Sequence, residues 1–219
     1  MECTLFLDAA SPAVSVGLRV GDEASGTWQH AHDEAGVALF RSIDLLTRAR
    51  GVGVAEITSV VFCEGPGSLL GVRLAAMALR TWIAVPREKP LQVFAYRSLE
   101  LVAASLLAHG RAAPFHVIVD GRRATWNALS VDATGAWQPI RRRPATEVFP
   151  NGEAVFHPEG FPLWQTLPAG AQSVHYDPMA LPGLAERFSL LRPVALPDAF
   201  MIEMPTYREW TPEHPIPPR

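Results

Sequence analysis

The sequence predicts an α/β architecture in two lobes, and three observations carry that reading. Apolar runs of strand type alternate with segments of helical periodicity. Their order is three strands, helix, strand, helix, strand, helix, then strands again. A chain of 219 residues with 48% hydrophobic content can bury a large core. The division falls near residues 95 to 112, giving an N-terminal lobe over 1–100 and a C-terminal lobe over 101–219 with an irregular, proline-rich tail.

The first two elements form a hairpin. Residues 4 to 8 (TLFLD) and 14 to 20 (VSVGLRV) are apolar and β-branched, and Ser11-Pro12 supplies the turn. A third strand, 26 to 31, continues the meander. From Ala35 to Arg50, Leu39, Phe40, Ile43 and Leu46 recur at helical spacing while Arg41, Asp44 and Arg48 fall elsewhere. This amphipathic helix ends at Gly51 and Gly53. TSVVFC, 58 to 63, reads as a buried strand. A second helix runs from Ser68 to about Val85, where Pro86 and Pro90 stop it, and LQVFA, 91 to 95, is another strand. A helix over about 97–109 precedes FHVIVDGRRATWNALSVDATGAWQPIR, whose alternation gives two or three strands turning at Asp120-Gly121 and Thr134-Gly135. Beyond Pro144 the periodicity weakens. A last helix is expected at 179–191, and PTYREWTPEHPIPPR is too rich in proline for regular structure. No internal repeat of fixed period is visible.

The charge balance, 19 basic against 22 acidic side chains, advertises neither a nucleic-acid nor a membrane surface. Any RNA contact is local or shared with a partner. Cys3 and Cys63 lie in strand-like text without CxxC spacing and read as buried thiols of a reducing compartment. Glu2 and Asp8 stand where a secretory leader has basic and then apolar residues, and no apolar run reaches membrane-spanning length. The cytoplasm is the expected location.

The stretch CEGPGSLLGVRLAAMALRTW, 63 to 82, sets a glycine-rich turn between a strand and a helix, which is how many phosphate sites begin. The side chains do not complete one. Gly71 is followed by Val72-Arg73 rather than Lys-Ser/Thr, and Gly65, Gly67 and Gly71 are spaced one residue too long for the dinucleotide fingerprint. Asp8, Gly65, Gly67 and Ser68 therefore form a degenerate phosphate motif, with Ser68 read as the helix N-cap. Behind the turn, Gly67, Gly71, Ala75 and Ala78 recur at intervals of four and three, flanked by Leu70, Leu74 and Met77. Such a stripe admits either a partner helix or the protein's own sheet, and spacing does not choose between them.

These residues carry a resemblance. LFLDAASPAVSVGL, the amphipathic helix after His32, GPGSLLGVRLAAMAL and VIVDGRRATWNAL resemble the TsaB (YeaZ) family over about residues 4 to 132. The family's usual turn reads GPGSFTGLRIG, so Leu69-Leu70 replace Phe-Thr; its usual start reads LDTS, so Ala9-Ala10 remove the hydroxyls. The resemblance implies the actin-like, Hsp70-like ATPase (ribonuclease H-like) fold without catalytic residues or cofactor. It further implies docking to a TsaD-type catalytic subunit, in an assembly with a TsaE-type ATPase, that makes threonylcarbamoyladenosine in tRNA. tRNA is met only through that complex, and a homodimer stays open. By the same resemblance the docking helices are 35 to 50 and 68 to 84, with Leu39, Phe40, Ile43, Leu46, Gly67, Leu70, Gly71, Leu74, Ala75 and Ala78 as docking residues; Ala75→Arg is then expected to abolish pairing.

The competing reading is a small-molecule kinase or ATPase of the same fold, with Asp8 on magnesium and the GPGS turn on phosphate. His30 and His32 share a strand face but lack a third metal ligand at supporting spacing. Arg141, Arg142 and Arg143, with Arg122 and Arg123, offer either a solvated strand end or a phosphate-backbone contact. HPEG, 157 to 160, stands where a second-lobe glycine turn would meet adenosine, but Pro158 removes a donor and Glu159 has the wrong charge.

Overall fold

The computed structural model describes residues 2–147, 149 and 152–203. The tail reading, 205–219, lies outside the described residues. Two mixed sheets carry the fold. The first has strand order β11-β5-β4-β1-β2-β3, built from β1 (Cys3–Asp8), β2 (Val14–Val20), β3 (Thr27–Ala31), β4 (Ser59–Cys63), β5 (Gln92–Tyr96) and β11 (Arg192–Pro193). The second has order β10-β9-β6-β7-β8, from β6 (Phe115–Asp120), β7 (Thr125–Val131), β8 (Arg141–Pro144), β9 (Ala154–Pro158) and β10 (Gln172–Val174).

The second sheet repeats the first. In both, a three-stranded antiparallel meander is followed by two strands parallel to its first member, so β8-β7-β6-β9-β10 superposes in plan on β3-β2-β1-β4-β5. Asp8 and Asp120 thereby become equivalents, each the last residue of the first strand in its sheet. No sequence period betrays this duplication because the connecting segments differ in length and composition.

β1 is buried at all six residues, which fits a central strand covered on both faces. Leu5 and Leu7 face one core with Leu39, Ile43, Leu46, Ala75 and Leu79. Phe6 faces the other, with Val61, Tyr96, Leu99, Phe115 and Val117. The helices α1 (Ala35–Arg50) and α2 (Leu69–Ala84) thus lie on one side of the first sheet, while α3 (Ser98–Ala108) fills the space shared by both sheets.

Local chemistry fixes the helix ends. The Glu34 carboxylate accepts from the N–H groups of Gly36 and Val37 at 3.0 and 3.2 Å. Gly51, at φ +62°, closes α1 in the left-handed conformation that glycine adopts without penalty. Past β10 the expected helix at 179–191 shrinks to a 3-10 turn, Pro178–Ala180, and α4 (Leu181–Leu184) followed by turns. Pro182 and Gly183 shorten it, one lacking an N–H and the other costly in backbone entropy. Four short strands after residue 140, β8 to β11, go beyond the periodicity of the sequence. Among the described residues no helix is long and apolar enough to cross a membrane.

Candidate functional site

The glycine turn is packed against the first hairpin. A Cβ on Gly71 would lie 2.2 Å from the Ala9 carbonyl oxygen, and one on Gly67 would lie 2.2 Å from that of Ala10. Real atoms do not approach so closely, so both positions require glycine. The Ser68 N–H donates to the Ala10 oxygen at 2.7 Å, and the Ser68 hydroxyl accepts from Gly71 N–H at 3.4 Å as the N-cap of α2. The small residues read as a partner stripe therefore begin by admitting the chain's own Ala9-Ala10 turn.

Asp8 is equally committed. Its carboxylate is buried and accepts hydrogen bonds from the hydroxyls of Tyr96 and Tyr176, the latter at 2.5 Å, and from Ala10 N–H at 3.0 Å. Burial pushes the Asp8 carboxyl above its ordinary value, opposed by the tyrosine and backbone donors. The same burial, with the Asp8 charge beside them, pushes the phenols of Tyr96 and Tyr176 well up. Tyr176 follows β10 of the second sheet, so this carboxylate ties the lobes together. Among the described residues no cluster of three His, Cys, Asp or Glu side chains suits a metal ion.

Of the docking residues expected on α1 and α2, the structure turns most inward. Leu39, Ile43 and Leu46 are buried against β1, β2 and β4, and Gly71, Ala75 and Ala78 are buried too. That part of the expected surface is corrected: amphipathicity identified the core-facing side of α1, and a helix resting on its own sheet spends its strongest apolar stripe there. Ala75→Arg would consequently disrupt folding rather than pairing.

The opposite faces hold the surface. Phe40 and Leu70 remain exposed at 51% and 65%, and Leu74 is half-buried beside Gly36, whose Cβ would stand 3.8 Å from Leu74 Cδ1. Val37 at 55% and Met77 at 64% join them. At about 100° per residue, Val37, Leu70 and Met77 fall opposite the buried stripes of their helices, and Phe40 and Leu74 fall at the margins of those stripes. Apolar side chains thus stand on the solvent-facing side of the helix pair, with Val37, Phe40, Leu70 and Met77 exposed and Leu74 half-buried. Sequence reasoning omitted Val37 and kept Met77 only as a flank; their signal was apolar residues on the helix sides where charge is expected.

Between the lobes lies a cavity of about 650 Å³. One wall is the Gly65–Gly67 turn with Leu69 and Val72, another is the β6–β7 turn, and residues 199–203 form the rim. Arg122, Arg123 and Ala124 all have positive φ, at 61°, 50° and 54°. Each such non-glycine residue costs about 1 kcal/mol or more and persists because its surroundings fix it. The Gly121 N–H donates to Thr125 O at 2.8 Å, the Thr125 hydroxyl to Arg122 O at 2.7 Å, and the Arg142 guanidinium to Gly121 O at 2.8 Å. HPEG takes no part: Glu159 N–H donates to Val174 O at 2.8 Å, pairing β9 with β10.

Solved structures share this fold. A Pseudomonas aeruginosa protein described as uncharacterized with similarity to peptidase YEAZ matches at TM-score 0.60 and 20% identity, covering 90% of this chain and all of its own. YeaZ from Pseudomonas aeruginosa matches at TM-score 0.60 and 19% identity, over 86% of this chain and 94% of its own. The fold is that of YeaZ. It is an actin-like fold, and the two mixed sheets of this chain fit it. No protein-family model matches the sequence, and no curated protein matches it either.

Proposed function

We propose that this chain is a noncatalytic TsaB-type subunit that supports threonylcarbamoyl transfer to adenosine in tRNA by pairing with a TsaD-type catalytic subunit. The observation that carries the reading is the apolar solvent-facing side of α1 and α2, where Val37, Phe40, Leu70 and Met77 are exposed with no covering element among the described residues and Leu74 is half-buried. Large apolar side chains left in water on two neighbouring helices of a folded chain suit a docking surface. The YeaZ-like fold and the GPGS turn followed by Gly71-x-Arg73 give the direction of the proposal.

The noncatalytic reading rests on Asp8, which spends its lone pairs on two phenols and a backbone N–H where a kinase or ATPase would present a carboxylate to magnesium. A TsaE-type ATPase and tRNA then join through the complex, and the chain itself needs no cofactor. A second copy of this chain is the other occupant the face could take. Hydrogen exchange tests the pairing directly: addition of a TsaD-type protein slows exchange in 35–50 and 69–84, and unchanged rates there overturn it.

A further inference from the structure

We propose that His30, Met179 and His32 form a site for a soft monovalent cation, Cu(I), bridging the two lobes. The site does not depend on the function proposed above. Sequence spacing offers two histidines without a third ligand, and the fold supplies one 149 residues from His30. Met179 lies in the 3-10 turn Pro178–Ala180 after β10, and its sulfur stands 3.2 Å from His30 Nε2. The Asp177 carboxylate accepts from Met179 N–H at 2.9 Å and fixes that turn.

His30 is aimed from behind. Its Nδ1 lies 2.8 Å from the hydroxyl of Ser15, a buried residue. A hydrogen-bond partner on one ring nitrogen is the usual support of an imidazole that ligates metal through the other. In the tautomer that gives the Nδ1 proton to Ser15, Nε2 and the Met179 sulfur face each other with lone pairs alone. A cation completes that arrangement.

His32 joins by strand alternation. Trp28 of β3 stacks on Phe6 in the core shared by both sheets, whereas Ala31 packs on the helix side. His30 and then His32 continue the Trp28 series, so exposed His32 falls on the face toward Met179. The site also extends a row in register: Asp8, Ser15 and His30 pair across β1, β2 and β3, and the segment lying over that row brings Tyr176 to Asp8 and Met179 to His30. A bound ion adds a second link between the lobes beside the Asp8 tie.

The donor set chooses the metal. Thioether sulfur beside imidazole nitrogen favours Cu(I), while calcium and magnesium take oxygen ligands. The carboxylates next in sequence are engaged elsewhere, Asp177 with Met179 N–H and Asp33 with Arg41 at 3.6 Å. Bonds of about 2.0 Å to nitrogen and about 2.3 Å to sulfur, typical of a closed-shell ion, require the two atoms to part to about 4 Å. Met179 is 44% exposed and has three rotatable bonds, so its side chain makes that adjustment.

Anaerobic titration with Cu(I) as its acetonitrile complex, in competition with the chelator bicinchoninate, tests the proposal, and NMR of methyl-labelled methionine locates the ion. Expected are one Cu(I) per chain, a Met179 methyl resonance that moves while that of Met77 does not, and a higher urea midpoint with the ion bound. Met179→Leu and His30→Ala weaken binding roughly tenfold or more, and Ser15→Ala, which removes only the positioning hydroxyl, about tenfold. If His30→Ala does not fold, Met179→Leu, a change of shape-alike residues at an exposed position, decides alone. The thiols of Cys3 and Cys63, the competing soft groups, are buried. Full affinity in the folded Met179 and His30 variants assigns the ion to those thiols and overturns the proposal. So does a Met179 methyl that stays in place, or the absence of binding tighter than about 10 μM.

Discussion

Removing the Asp8 carboxylate should cost the fold far more than removing its charge. In Asp8→Ala, the hydroxyls of Tyr96 and Tyr176 lose their acceptor inside the protein, and Ala10 N–H loses its partner. A stranded buried polar group costs about 1–3 kcal/mol, so two phenols alone give about 2–6 kcal/mol. Against a total stability of about 5–15 kcal/mol, that is a large share. Asp8→Asn keeps an oxygen for the phenols and relieves the burial of an ionised group but turns its NH2 toward Ala10 N–H, so its stability at neutral pH should lie well above that of Asp8→Ala without exceeding wild type by the full burial cost. The pH dependence follows from the raised carboxyl. Because the folded state holds the proton more tightly than the unfolded one, its contribution is full below the unfolded value near pH ~3.9 and is lost as pH rises through the folded value. The stability of Asp8→Asn relative to wild type must therefore rise with pH across that window. Urea denaturation at several pH values reads both effects. An Asp8→Ala variant within about 0.5 kcal/mol of wild type, or an Asp8→Asn variant as damaged as Asp8→Ala, would refute the reasoning.

Other outcomes follow from single contacts. Gly71→Ala forces a methyl into the Ala9 carbonyl and should destabilise the fold by about 1–3 kcal/mol or prevent its formation, read by thermal melting. Ala75→Arg places a charge in the α2 core face and should yield insoluble or unfolded protein, whereas Met77→Arg should melt with wild type; equal melting of the two would contradict the assigned helix orientation. Glu64→Ala leaves Arg97 and Arg192 without one shared carboxylate while Glu100 still serves both, so a loss of about 1–2 kcal/mol is expected by denaturation, and more salt should shrink it.

The first lobe was legible because its signals are local. β1, β2, β4 and the two long helices have unbroken apolar periods, and Ser68 and Gly51 mark their ends by conformational chemistry. The strands β8 to β11 were not, because two to five residues flanked by proline and glycine acquire strand geometry only from their neighbours. The helix surface was half legible. Periodicity located the stripe of Leu39, Ile43 and Leu46 but cannot tell a core from an interface, and the weaker stripe of Val37, Phe40, Leu70 and Met77 was the exposed one. Asp8 was singled out from its place at a strand end, yet its partners Tyr96 and Tyr176 stand 88 and 168 residues away, a separation that no local pattern bridges.

The proposed pairing is tested most directly by sedimentation equilibrium of this chain mixed with a TsaD-type protein from the same host. The account predicts a one-to-one complex with wild type, and separate sedimentation of the two chains when Phe40→Arg or Met77→Arg, still folded, replaces it. Two wild-type chains that never associate, or a complex that survives both substitutions intact, would contradict it.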